Sequence, residues 1–177
     1  MFDILSRMIR TGILTEPAPT PAEAPPAVEE LHKHLQKIFG RALCIRHVDA
    51  GSCNGCELEI HALNNPYYNL EGVGIKFVAS PRHADMLLVT GPVSVNMEEA
   101  LKRTYDAVPE PKLVVAVGDC GACGGVFGEN YASRGAVARV IPVHHTVPGC
   151  PPNPRAILEV ILKVVSGVAV LSSTPSI

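Results

Sequence analysis

Two apolar patterns alternate along this chain, and their order predicts its architecture. Short apolar runs occupy residues 42–48, 75–79, 85–90, 112–117 and the later part of 139–147. Runs of this length, rich in Val, Ile and Leu, read as strands, and the unbroken one at 85–90 as a strand buried on both faces. Stretches with helical spacing lie between them. In residues 28–39, Val28, Leu31, Leu35 and Ile38 share one face, and Gly40 marks the stop. Further helices are expected at 57–63, closed by Asn64-Asn65-Pro66, at 98–107, closed by Pro109 and Pro111, and at 154–165, entered through Pro151 and Pro152. Strands alternating with helices predict an α/β fold, a flavodoxin-like doubly wound parallel sheet with helices on both faces. Such sheets bind their ligands beyond the carboxyl ends of the strands.

The two ends of the chain carry a different pattern. In residues 1–14, Phe2, Leu5, Met8 and Ile9 fall on one face, which predicts an amphipathic docking helix. Residues 15–27 include PAPTPAEAPP, with five prolines in ten positions, and read as a semi-rigid linker. The expected organisation is therefore the docking helix 1–14, the linker 15–27, one folded domain over 28–166 and a tail over 167–177. Neither the amino-terminal piece nor the apolar patch at 167–171 reaches the roughly 20 apolar residues of a membrane span. Asp3, Arg7 and Arg10 interrupt any secretory core in the first residues, so a reduced, cytoplasmic setting is expected.

Composition narrows the classes. With 177 residues, 47% of them hydrophobic, the chain can bury one sizeable core. A formal net charge of −2, 5% aromatic residues and no Trp leave no basic stripe and no stacking platform, which excludes a nucleic-acid-binding role. Six widely spaced cysteines are too few for a disulfide scaffold in a chain of this length.

Four of those cysteines carry the chemistry. Cys53 and Cys56 form a glycine-flanked Cys-x-x-Cys, GSCNGC, just after the first strand. Cys120 sits in GDCGACGG after the fourth, and Cys150 in GCPP after the fifth. In a parallel sheet these positions gather on one edge. A 4Fe–4S cluster needs four thiolates around a cuboid, with nearby backbone free to approach its sulfides. Gly51, Gly55, Gly118, Gly121, Gly124, Gly125 and Gly149 supply that freedom. Structural zinc also takes four cysteines, though usually as two close pairs, and a redox dithiol needs only Cys53 and Cys56. Cys123 competes with Cys120 as third ligand. Cys44, alone inside a strand, reads as a small core residue. No Gly-x-Gly-x-x-Gly or Walker sequence is present, so electrons must enter and leave through other chains.

The combination SCNGCELEI, GDCGACGG and PGCPPNP resembles the small, iron–sulfur subunit of nickel–iron hydrogenases and its relative in respiratory complex I, over roughly residues 41–165. SPRHADMLLVTGPV and YDAVPEPK are similar to the complex I version. Cys53-Asn54-Gly55-Cys56 matches the hydrogenase arrangement, where complex I has adjacent cysteines. That mixture resembles membrane-bound, energy-converting hydrogenases of formate hydrogenlyase type. The resemblance implies that Cys53, Cys56, Cys120 and Cys150 hold one proximal 4Fe–4S cluster. It implies a nickel–iron centre in a separate hydrogenase large subunit, a ferredoxin-like two-cluster subunit as electron partner, and membrane-embedded complex I-like subunits. The chain itself would lie peripherally on the cytoplasmic side of the membrane. Glu59 matches the glutamate that follows the cysteine pair in complex I. Glu57 and Glu59 are expected on a proton path or at the large-subunit interface, or else as carboxylates favoured by a helix amino terminus. Arg82 and His83 precede the third strand, where the complex I relative faces its membrane module. His144 and His145 are expected at the end of the fifth strand, near Cys150.

Overall fold

A computed structural model of the chain describes residues 41–172, together with Ser6 and residues 9–12; for residues 166–172 it describes the backbone. Ser6 and residues 9–11 are helical, with Ile9 exposed. The rest of the expected docking helix, the linker and the helix at 28–39 lie outside the described residues.

The five expected strands form one sheet. They are β1 (Leu43–Asp49), β2 (Ile75–Phe77), β3 (Met86–Thr90), β4 (Leu113–Val117) and, after a short hairpin of β5 (Glu129–Asn130) and β6 (Ser133–Arg134), β7 (His145–Val147). Their order is β2-β1-β3-β4-β7, with every pairing parallel. The helices are α1 (Gly55–Ala62), α2 (Val95–Ala107), α3 (Gly118–Cys123) and α4 (Pro154–Ser172). Every residue of β3 and β4 is buried, because both faces of the central strands are covered. Alternation sorts their side chains into two layers. Met86, Leu88, Val115 and Val117 pack with Ile60, Leu63, Ile157 and Ile161 of the α1 and α4 layer. Leu87, Val89, Val114 and Ala116 pack with Leu101 of α2 and with Val137 and Ile141.

The differences from expectation sit at element ends. β2 stops at Phe77, α2 begins at Val95, and α4 runs to Ser172 instead of closing at Val165. The glycine-rich GDCGAC segment, which has no helical hydrophobic spacing, forms the short helix α3 directly from the end of β4. The β5–β6 hairpin has no apolar alternation to announce it. The chain turns from β2 at one edge to β3 on the other side of β1, so the topological switch lies between β1 and β3.

Candidate functional site

Because β1, β4 and β7 are parallel, the loops that leave them emerge on one edge of the sheet, and these loops carry Cys53, Cys56, Cys120 and Cys150. The first loop is bent sideways by Asp49, whose Oδ1 accepts the N–H groups of Gly51 (2.8 Å) and Ser52 (2.7 Å). It crosses the end of β3 at Gly91. A Cβ on Gly91 would lie 2.5 Å from the Ser52 nitrogen, and its φ of +76° is left-handed, so only glycine allows this crossing. Asn54 is also left-handed, at φ 70°, and turns the chain into α1 with Cys53 before the helix and Cys56 in its first turn.

A two-way hydrogen bond ties the other two loops together. The Asp119 N–H donates to the Gly149 carbonyl (2.8 Å), and the Gly149 N–H donates to Asp119 Oδ1 (2.8 Å). Cys120 and Cys150 are the next residues along each strand of this clasp. All three loops meet at Gly118, where a Cβ would lie 2.7 Å from Cys56 Sγ and 3.3 Å from the Gly149 oxygen.

The electrostatics report the same convergence. Burial pushes the Cys56 thiol up to about 11, with Glu57, Cys120, Cys53 and Cys150 adding to the rise. Cys120 is raised by burial, then by Cys150, Cys53 and Asp119. Each thiolate disfavours its neighbours, so the set suits a positively charged group that would hold all four deprotonated. Among the described residues no three His, Cys, Asp or Glu side chains close around a single metal ion. Four thiols on converging segments fit the ligand set of one 4Fe–4S cluster. Gly118 and Gly125, whose missing Cβ atoms would each meet a cysteine sulfur at 2.7 Å, keep the cradle open.

Cys123 is turned elsewhere: it is exposed and its Sγ donates to the Asp119 carbonyl of its own helix (3.2 Å). Cys44 is half-buried in β1, with Sγ 3.7 Å from the Ala42 oxygen.

Glu57, in the first turn of α1, is buried at 6% exposure, and neither carboxylate oxygen has a hydrogen-bond partner among the described residues. Its Oε1 faces His47 Nε2 at 3.7 Å. His47 Nε2 also lies 3.0 Å from Thr90 Oγ1, and burial holds the His47 pKa below its ordinary value against the opposing pull of Glu57. Glu59, two residues further along α1, is half-buried.

The expected place of His144 and His145 is corrected. They open the fifth strand instead of ending it, which puts them toward the amino edge, away from the cysteines. His144 Nδ1 accepts the Val114 N–H at 3.0 Å, so the ring closes an irregular strand entry. Arg82 and His83 stand exposed in a single 3₁₀ turn before β3, also at the amino edge. Three positions of the site had no signal strong enough to single them out: Gly91, Asp119 and His47. Gly-Pro after a buried strand, at the edge that binds ligands, was the one available hint for Gly91.

Comparison with known proteins agrees with this geometry. Residues 53–164 match the family described as NADH ubiquinone oxidoreductase, 20 Kd subunit. The chain is 48% identical over 132 residues to a probable membrane-bound hydrogenase subunit of Pyrococcus furiosus, covering 75% of this chain and 79% of the relative. It is 40% identical over 140 residues to formate hydrogenlyase subunit 7 of Escherichia coli, covering 79% of this chain and 55% of that protein. Among solved structures it is similar to a chain of the membrane-bound sulfane sulfur reductase, an archaeal respiratory membrane complex, with a TM-score of 0.63 and 31% identity over 77% of this chain and 75% of that one. Fold and sequence thus agree, and the chain belongs to the family of the 20 Kd subunit of NADH ubiquinone oxidoreductase.

Proposed function

We propose that this chain is the electron-transfer subunit of a membrane-associated nickel–iron hydrogenase. The observation that carries the reading is that the segments bearing Cys53, Cys56, Cys120 and Cys150 leave one sheet edge and touch at Gly118, with the other three cysteines adding to the raised Cys56 pKa. These four cysteines would hold one proximal 4Fe–4S cluster, which when bound accepts and passes single electrons. The large subunit would carry the nickel–iron site, and a ferredoxin-like two-cluster subunit would exchange electrons with it.

The surface around the site supports docking. Leu58 follows the cluster loop at 63% exposure, and Phe127 and Tyr131 stand out beyond α3 at 60% and 99%. Large apolar side chains left bare beside a redox edge suit a partner interface. No helix among the described residues is long and apolar enough to cross a membrane. Attachment would therefore run through membrane-embedded complex I-like partners, on the cytoplasmic side. The Cys53-Asn54-Gly55-Cys56 spacing favours the hydrogenase reading; a quinone-reducing complex is the second reading, favoured by the NADH-quinone oxidoreductase subunits among the relatives. Buried Glu57, whose oxygens accept no hydrogen bond among the described residues, and Glu59 would serve a proton path or the large-subunit contact.

The test is iron, acid-labile sulfide, zinc and nickel analysis of the complex purified anaerobically through a tag on this chain. Iron, sulfide and nickel together are expected. Clusters without nickel would transfer the protein to the quinone reading, and zinc without sulfide would overturn electron transfer.

A further inference from the structure

β2 is four residues shorter than β1, and the shortfall opens a cleft. Its last paired residue, Phe77, sits opposite Ile45, so from Arg46 to Asp49 the outer side of β1 has no strand beside it. The second half of α1 and the segment following β2 wall this gap into a cleft of about 300 Å³. Arg46, His47, His61, Asn64, Phe77 and Ile60 line it.

The chemistry of the lining is one-sided. No carboxylate lines the cleft; Glu57 lies behind its lining only through His47, whose Nε2 its Oε1 faces at 3.7 Å. The buried Nε of Arg46 has no hydrogen-bond partner, and among the described residues its guanidinium forms no ion pair. Other surface arginines, such as Arg103 and Arg155, each pair with a glutamate one helical turn away. His61, in the last turn of α1, and Asn64, in the turn that follows it, are exposed and likewise have side chains with no partner among the described residues. His47 is committed to Thr90, so it contributes a wall. Ile60 and Phe77 supply an apolar side.

We propose that this cleft binds a phosphate ester, with the phosphate on Arg46, His61 and Asn64 and the ester's organic part against Phe77 and Ile60. A planar guanidinium that lines the cleft without an ion pair among the described residues offers its N–H donors to an oxyanion. The imidazole and amide give more donors than a carboxylate's two oxygens use well, whereas a tetrahedral phosphate has acceptors for all of them. The cleft is also larger than a phosphate ion alone. The phosphate is either the headgroup of a phospholipid or part of a soluble ester. This inference stands apart from the cysteine site and survives failure of the hydrogenase reading.

The test uses the full chain with its metal centre, in phosphate-free buffer. Calorimetric titration with glycerol 3-phosphate is paired with flotation on vesicles of phosphatidylglycerol or phosphatidylcholine. Glycerol 3-phosphate is expected to bind, glycerol not. Arg46→Met is expected to weaken binding at least tenfold and Arg103→Ala to leave it unchanged. Should Arg46→Met fail to fold, His61→Leu, at an exposed position, is expected to weaken binding several-fold. Arg46-dependent flotation on phosphatidylglycerol would identify the lipid source; binding of the soluble ester without flotation would identify the other. A wild-type chain that binds neither overturns the proposal, as does binding indifferent to both variants. Loss of a partner subunit in Arg46→Met without any phosphate binding also overturns it, and assigns the cleft to a protein carboxylate.

Discussion

Gly118→Ala is the substitution that tests the site most directly, because Gly118 is where the three cysteine loops touch. Its φ of +83° costs a residue with a Cβ about 1–2 kcal/mol. The added methyl would also lie 2.7 Å from Cys56 Sγ, a distance real Cβ atoms do not adopt, and 3.3 Å from the Gly149 oxygen. Cys56 is 9% exposed and packed into the core with Ile60 and Val117, so its sulfur has little room to retreat. Overpacking of this kind costs about 1–3 kcal/mol. The total, about 2–5 kcal/mol, is a large part of the 5–15 kcal/mol that stabilises a typical domain. Gly128→Ala separates the two contributions: Gly128 has φ +56° but nothing within 4 Å of its missing Cβ, so it bears the backbone cost of about 1 kcal/mol alone. Denaturant unfolding of the cluster-free chain measures both costs, and iron and sulfide per chain after anaerobic reconstitution measures the site. Gly128→Ala should keep its full iron content, and Gly118→Ala should lose most of it through displacement of the Cys56 sulfur. Equal unfolding costs, with full iron and sulfide in both variants, would refute the claim that this close approach shapes the site.

Three further outcomes are expected. Cys120→Ser should abolish the visible absorbance of the reconstituted chain and Cys123→Ser should retain it, since only Cys120 interacts with Cys53, Cys56 and Cys150; the opposite pattern would move the third ligand to Cys123. Asp119→Ala should lower stability by about 1.5–3 kcal/mol through loss of the charged acceptor for the Gly149 N–H, while Asp119→Asn, which keeps an oxygen there, should recover much of it in thermal unfolding. Identical losses would mean that the backbone half of the clasp suffices. Burial lowers the His47 pKa in the folded chain, so the unfolded chain binds the extra proton: the stability contributed is complete above about pH 6.5 and is lost as pH falls below that value toward the folded pKa. His47→Gln should flatten that part of the stability–pH curve measured with denaturant, and an unchanged slope would place the titration elsewhere.

The sheet was legible because burial on both faces writes itself into composition: β3 and β4 are continuous apolar runs, and their placement at 86–90 and 113–117 departs from the pattern by one residue. The cysteines were legible because a parallel sheet sends every loop that follows a strand to the same edge. What stayed hidden is backbone work. Gly91 matters through an atom it lacks, and Asp119 through a carbonyl and an amide thirty residues away. The histidine pair 144–145 misled because an apolar run shows that a strand exists but not where it begins. His144 supplies the missing backbone acceptor at that entry, which no periodicity encodes.

The same distinction explains why two of the cysteines can stand alone in the chain. A mononuclear zinc site on a small knuckle draws its ligands from close pairs, since the metal itself must organise the loops. Here the loops are organised beforehand. β1 and β4 are each joined to β3, β7 to β4, and the Asp119–Gly149 clasp and the Gly91 crossing lock the exits. Single cysteines thirty residues apart are then carried to the same edge by the backbone alone. The raised thiol pKa values follow from that preorganisation: burial and the neighbouring thiols keep Cys56 and Cys120 protonated, and a cation entering the cradle would offset the repulsion among the thiolates it needs. Cys56 lies in the core and Cys53 and Cys150 at the surface, which sets the site half inside the sheet edge and half toward whatever docks on Leu58, Phe127 and Tyr131. On the proposed reading, a cluster here would stand at a boundary between two chains, taking an electron from one side and passing it to the other.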